Sequence, residues 1–400
     1  MDSENHNRAL ALAAVLAIAA GIRFYLNNIV QYSPADESTY LDFAKTLFSG
    51  GVSQYADLVQ TFLNDRDMWL FPSPLRWSWI GATSIFCSLA GHCTFRDLAM
   101  VSTLAGIASV GLTWWIGREL FDSPTALAAA ALAATSPLQL ALGRRALADE
   151  FFCMLVLASI ATLLRYLDKL RACPTLSYAG QALQLVPWVI VTTLAFGAKE
   201  QFLLIYPIIL LFWWLRTRTM NWRMLIAAAL PPFLYFAVFC LLAHDVTSFF
   251  KVAHLTTSTI GAEYPEQYQN GPPQRLIIDL MAVAPVVTLA MIAACGWVAA
   301  RAREATRNQR HLLVLLGGIL VVHGLLSSKN LRYIVPVEPL ARLLAATFLC
   351  GTVRDRRWVA VAIVINAVIE LLLFRAIFIA GNVYDPVTDD LLRALKMLPR

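Results

Sequence analysis

Four places in this chain set acids and bases into otherwise apolar sequence. Asp36-Glu37, with Tyr40 one turn later, opens a polar stretch after the first apolar run. Arg144-Arg145 precedes Asp149-Glu150 by three small or apolar residues, and Lys199-Glu200 interrupts two apolar segments. Lys329-Asn330-Leu331-Arg332 separates two more and is followed directly by Tyr333. A carboxylate so placed can take a proton from a hydroxyl or amine nucleophile. An arginine fork suits bidentate binding of phosphate, and a lysine serves as a point charge. Each place also has a plainer explanation: solvated acids starting a helix at 36–37, a self-neutralising turn at 144–150, a hairpin ion pair at 199–200, and snorkelling for Lys329 and Arg332. Asp149 begins an apolar helix, and ionisable groups at that boundary default to a functional reading.

Other chemistries find less support. His92, His244, His254 and His323 show no HExxH or related spacing, so a metal would have to use His254 with Glu263 or Glu266. No cofactor is expected, with a divalent metal left open. There is no phosphate-binding glycine loop and no nucleophile elbow. The seven cysteines are scattered without CxxC spacing and read mainly as small core hydrophobes, although Cys87 and Cys93 could bridge on an oxidising face.

The elements that must position these residues are set by composition. Of 400 residues, 58% are hydrophobic and 14% charged, against about 45–50% and about 25% in soluble domains. The bilayer must therefore be the solvent. The net charge of +6 comes from arginines clustered in short loops, and no aromatic-basic platform or nucleic-acid fold accompanies it, so nucleic acid is not an expected partner. Apolar runs long enough to cross, about 20 residues each, lie near 9–26, 97–117, 124–142, 149–167, 178–198, 201–215, 224–243, 276–300, 311–328, 333–352 and 358–379. The run 74–92 carries Arg76, Trp77 and Trp79 near one end and is ambiguous.

The positive-inside rule decides the ambiguity. Arg165/Lys169/Arg171, Arg216/Arg218/Arg223, Arg301/Arg303/Arg307/Arg310 and Arg354/Arg356/Arg357 share one side only if 74–92 does not cross. That run is then interfacial or re-entrant, the N-terminus cytoplasmic and the tail 381–400 external. Ala17-Ile18-Ala19 resembles a signal-peptidase site, but an uncleaved anchor fits better, since it tethers the first external loop, 27–96. The expected fold is all-α and polytopic, with about 11 spans in one unit over 1–380 and all four polar places facing outward. Ser33 suits an N-cap and Pro34 the first helical position, and Asp36, Tyr40, Phe43 and Leu47 share a face, so an amphipathic helix on the outer surface is predicted.

Two further features complete a pattern: the proline-led Pro72-Ser73-Pro74-Leu75, and the spacing of Pro336 and Pro339 after Arg332-Tyr333. In this order the pieces resemble the polytopic GT-C glycosyltransferases, specifically bacterial relatives of the dolichyl-phosphate-mannose protein mannosyltransferases and of lipid A aminoarabinose transferase. The resemblance spans about residues 9 to 340. It implies transfer of a sugar from a polyprenyl-phosphate carrier to an acceptor outside the plasma (inner) membrane, with inversion at the anomeric carbon. Carried over to this chain, Asp36 is the base with Glu37 its nearest competitor, and Asp149 orients acceptor or sugar. Lys199 and Arg332 clamp phosphate, Lys329 and Arg145 assist, and Tyr40, Arg144 and Tyr333 line the substrate site. The loop 244–275, with Tyr264, Tyr268 and Gly271-Pro272-Pro273, would be a lid. The loop is too short for the extra domain of the eukaryotic mannosyltransferases. Only about twenty residues follow the last span, unlike the large external domain of the aminoarabinose transferases. The acceptor, whether protein, lipid or polysaccharide, stays open. The competing classes are a transporter or lipid flippase, against which no repeated halves are found, and a membrane scaffold.

Overall fold

The computed structural model describes residues 2–30, 32–33, 35–173, 177–219, 222–258, 269–301 and 303–398, and no strand occurs among them. Helix α1 (Asp2–Asn27) leads to a layer made of α2 (Asp36–Gly50), α3 (Tyr55–Asn64) and α4 (Trp77–Ala90). At 14 residues, α4 is about 21 Å long against about 30 Å of hydrocarbon, so 74–92 falls short of a crossing. Gly91 takes a left-handed conformation (φ 74°) that reverses the chain. The turn sets Cys87 and Cys93 4.7 Å apart at Cα, and they form a disulfide. That turn is what joins a pair whose scattered spacing had not favoured a bridge.

Helix α5 (Phe95–Leu120) starts on a capping box, in which Thr94 and Asp97 satisfy each other's backbone N–H groups. Next, α6 (Ser123–Ala134) and α7 (Pro137–Gly143) are bent by 57° at a short break. Pro137 has no N–H to give the carbonyl four residues back, and Ser136 starts the new helix by accepting from the Gln139 N–H at 3.3 Å. The run 124–142, expected as one helix, is thus two.

Then follow α8 (Asp149–Ala172), α9 (Tyr178–Phe196), α10 (Phe202–Thr217), α11 (Trp222–Ala243) and α12 (Val246–Ser258). The expected span 276–300 is likewise broken at Pro285, into α13 (Arg275–Val283) and α14 (Pro285–Ala300). The remaining helices are α15 (Arg307–Leu325), α16 (Val337–Thr352), α17 (Arg356–Phe374) and α18 (Thr388–Ala394). Among the described residues, six helices are long and apolar enough to cross a membrane, seven with the bent α6–α7 pair, and α10 and α14 are shorter apolar helices. The chain is a multi-pass membrane protein.

The main core threads α5, α8, α9, α10, α15 and α16. A second apolar cluster seats this layer: Phe43 and Leu47 of α2 and Tyr55, Val59 and Phe62 of α3 pack against Phe239 and Val252 of α11 and α12. The predicted buried face of α2 is therefore present. Its start differs from expectation. Ala35 is the N-cap without a side-chain cap bond, Pro34 lies outside the described residues, and Ser33 instead gives its N–H to Glu37 at 2.6 Å.

Two buried arginines serve the α6–α7 break. Arg342 Nε donates to the Leu132 carbonyl at 3.0 Å, and Arg23 Nη1 to that of Ala134 at 2.9 Å. These are carbonyls that an unbroken helix would have satisfied itself. Arg342 also pairs with Glu338 and with Glu370, the latter at 2.6 Å, so its charge is matched inside the bundle.

Candidate active site

Arg332 lies on a short 3₁₀ turn (Leu331–Ile334) that Asn330 starts by accepting from the Arg332 N–H. Its guanidinium meets three carboxylates from three separate parts of the chain. Nη2 donates to Asp36 Oδ2 at 2.7 Å, Nε to Asp149 Oδ2 at 3.3 Å, and Nη1 to Asp385 Oδ1 at 3.1 Å. Burial works against this charge, but Asp149, Asp36 and Asp385 more than offset it and hold Arg332 cationic. Lys199, on the hairpin between α9 and α10, donates to the other oxygen of Asp149 and to the Arg332 carbonyl. Burial pulls its ammonium below the ordinary lysine value although Asp149 acts the other way. Asp149 is 1% exposed and engaged on both oxygens.

The two neighbours at the start of α2 differ sharply. The Asp36 side chain keeps 26% of its surface open. Glu37 is closed: its carboxylate accepts from the N–H groups of Ser33 and Ala146, the latter at 2.9 Å, and from Arg145 Nη1 at 3.4 Å. Burial pushes the Glu37 carboxyl above the usual carboxylate range, against the pull of those donors. Glu37 thus ties the loop 144–148 to the mouth of α2.

The hairpin at 199 is braced by the proline-led segment. Ser73 Oγ donates to Glu200 Oε1 at 2.6 Å and Arg76 Nε to Glu200 Oε2 at 2.8 Å. Burial would raise the Glu200 carboxyl, but Arg76 and Ser73 hold it lower than usual. Arg76 also reaches the Tyr40 hydroxyl, and Ser78 donates its N–H to the Gly197 carbonyl at 2.9 Å. A side chain at Gly197 would meet the Trp77 ring within 3 Å, so the contact requires glycine. Tyr40 is tied through Arg76 to Glu200, the residue after Lys199.

The remaining expected residues divide. Tyr333 lies at the site, with the Lys199 ammonium 5.4 Å from its ring centre and its hydroxyl donating to Gln269 at 3.1 Å. Gln269 is buried and also takes the Lys329 N–H at 2.8 Å, so the end of the loop 244–275 is docked beside Arg332. Tyr264, Tyr268, Glu263 and Glu266, on which the lid and metal expectations rested, lie outside the described residues. Lys329, an expected helper, and Arg144, expected to line the substrate site, point elsewhere. Lys329 turns its ammonium onto the Leu326 carbonyl at 2.6 Å, and Arg144 donates to the Phe378 carbonyl at 2.8 Å.

Asp385 and Tyr384 were not foreseen. They belong to the tail after α17, where a π-helical turn (Arg375–Ala380) folds the chain back. Tyr384 lies under Arg145, 4.6 Å from ring centre to guanidinium, and Asp385 joins Arg332 and Asn330. The available signal was an acid beside an aromatic, Tyr384-Asp385-Pro386, in the tail that the arginine pattern predicts to lie on the side of the other polar places. Arg76 and Glu200 were noticed only as charges at an ambiguous end and a hairpin.

Residues 73–244 match the family described as dolichyl-phosphate-mannose-protein mannosyltransferase. A search of curated proteins finds no match. Solved structures share the fold. ArnT from Cupriavidus metallidurans, bound to undecaprenyl phosphate, superposes with a TM-score of 0.58 at 17% identity over 93% of this chain. The archaeal oligosaccharyltransferase AglB from Archaeoglobus fulgidus, in complex with an inhibitory peptide and a dolichol-phosphate, gives 0.59 at 11% identity over 93%. This chain spans 65% of the ArnT chain and 55% of the AglB chain. The fold is therefore that of the GT-C glycosyltransferases.

Proposed function

We propose that this GT-C chain, related over residues 73–244 to the protein mannosyltransferases, is a membrane glycosyltransferase with a polyprenyl-phosphate-linked sugar donor. It works on the extracytoplasmic face and inverts the anomeric carbon. The observation that carries the reading is the meeting of Arg332 and Lys199 with Asp36 and Asp149, where loops from distant parts of the chain converge at one end of the bundle. The arginine-rich loops at the other end support the sidedness, and so does the Cys87–Cys93 disulfide, a bond that persists in oxidising compartments.

In this mechanism Asp36 takes the acceptor proton as the nucleophile attacks the anomeric carbon, because it is the cluster's acid with open surface beside the buried pair. The departing phosphate is already charged and needs no general acid of the glycosidase kind. It needs cations, and Arg332 and Lys199 supply them, so the reading calls for no metal. Asp149 orients both cations, and Glu37 positions the base by fixing α2 against the 144–148 loop. Arg145 and Tyr333 complete the walls of the donor site, and Tyr40 with Arg76 backs them. The acceptor is an external hydroxyl or amine.

The test is sugar transfer by the purified chain in proteoliposomes supplied with radiolabelled polyprenyl-phosphate sugars and an envelope extract. A covalent labelled product is expected. Movement of the lipid across the bilayer without a product, from folded protein, would replace this reading with a flippase.

A further inference from the structure

The guanidinium assigned to phosphate, that of Arg332, has a carboxylate on each of its three nitrogens. They are Asp36, Asp149 and Asp385. A donor phosphate that takes an N–H of this fork meets a carboxylate at whichever nitrogen it approaches, and the two negative charges repel. One of the three must leave. Asp149 is locked by Lys199 from the other side, and Asp36 starts a helix whose apolar face is anchored against α3, α11 and α12. Asp385 lies on a short return strap between the turn at Arg375–Ala380 and α18.

The strap is anchored at several points along its length. Val383, Val387 and Leu391 are buried beneath it. Thr388 Oγ donates to Asp279 at 2.6 Å and accepts from Arg275 Nε at 2.7 Å. Asp385 itself takes one donor from Arg332 and another from the Asn330 amide, both at 3.1 Å. Both donors converge on the same oxygen, Oδ1, as they would on a single phosphate oxygen. The Tyr384 ring, stacked against Arg145 and 5.7 Å from Arg332, covers the same spot.

We propose that Asp385 occupies the donor phosphate's place on Arg332, and that the strap carrying Tyr384 and Asp385 is displaced when a polyprenyl phosphate binds. Asp385 is then a stand-in that keeps Arg332 and Asn330 oriented in the empty site and sets the affinity for the donor by competing with it. This rests on the proposed phosphate role of Arg332.

Undecaprenyl phosphate binding to the full chain in detergent micelles tests it. Asp385→Asn keeps the shape and removes the competing charge, so binding is expected to tighten about tenfold, the scale of one charge-assisted hydrogen bond no longer contested. Arg332→Ala is expected to lose the binding. If Arg332→Ala weakens binding while Asp385→Asn leaves it unchanged or weaker, the stand-in idea is wrong and the phosphate role of Arg332 survives. If Arg332→Ala binds as the wild type does, the donor site itself is misplaced. A second measurement needs no variant. Amide hydrogen exchange across 381–398 in the wild-type chain should speed up when undecaprenyl phosphate is added, and unchanged or slower exchange would overturn the displacement.

Discussion

Asp36 and Glu37 are consecutive residues, yet one keeps open surface beside Arg332 and the other is closed in by Ser33, Ala146 and Arg145. Substitutions should separate them. Asp36→Asn keeps the hydrogen bonding and removes the base, so single-turnover transfer should slow by about 10²-fold or more without loss of undecaprenyl phosphate affinity. Full activity in that variant would reduce the acid to a helix start. Glu37→Gln should act mainly on stability, by roughly 1–3 kcal/mol for weakened buried bonds to charged and backbone donors, read as a lower Tm of the purified protein. Arg332→Lys discriminates a fork from a mere charge: a clamp should lose about 1–3 kcal/mol of donor affinity, whereas wild-type affinity would mean an interfacial anchor. Lys199 gives the pH dependence. Its ammonium, held below the ordinary lysine value by burial, loses its proton earlier as pH rises, and the site then has one cation fewer for phosphate. Donor affinity should therefore decline on the alkaline side before an ordinary lysine would titrate, and Lys199→Arg should move that decline to higher pH.

The same logic holds for elements, where a break in a helix is useful only if something else satisfies its backbone. Arg342 does so for α6 while pairing with Glu338 and Glu370, all three fully buried. Removing one partner of such a cluster costs about 3–5 kcal/mol because charges are left unmatched. Arg342→Met should thus lower the Tm strongly, and adding Glu370→Gln should recover part of the loss; a silent Arg342→Met would mean that the break needs no support. The break was not visible in the sequence, where Ser136-Pro137 sits inside an apolar run of acceptable length and Arg342 reads at most as a local i, i+4 pair with Glu338. Hydropathy reports which segments are apolar and is blind to bends within them, so 124–142 and 276–300 each read as one helix. The amphipathic α2 was legible because its apolar residues recur at helical spacing, whereas its cap was not, because Glu37 was drawn to Ser33 and Ala146 instead of standing in solvent.

At the scale of the whole molecule, charge distribution did most of the predictive work. One-sided arginine loops placed Asp36, Asp149, Lys199 and Arg332 at a common end, and the structure joins those four residues within one cluster. The tail contributed Asp385 unseen, since nothing local in 381–400 says that the chain turns back. Sidedness is tested by single cysteines at exposed positions: one at Ser53 should react with an impermeant reagent outside sealed cells and one at Glu304 should not. Labelling at Glu304 would invert the arrangement. Gln269, nominally a loop residue, is buried against Tyr333 and Ser328 and would be a poor reporter. The first helix adds a constraint on biogenesis. Arg23 is buried, and its acceptor Ala134 lies 111 residues downstream. During synthesis α1 enters the membrane before any part of α6 has been made. A guanidinium inside a helix facing lipid costs about 2.5–3.5 kcal/mol on insertion scales, eased but not removed by its nearness to the helix end. The nascent chain therefore has to keep α1 beside the insertion machinery or at the headgroup level until α6 arrives, so the early helices enter the lipid together rather than one at a time.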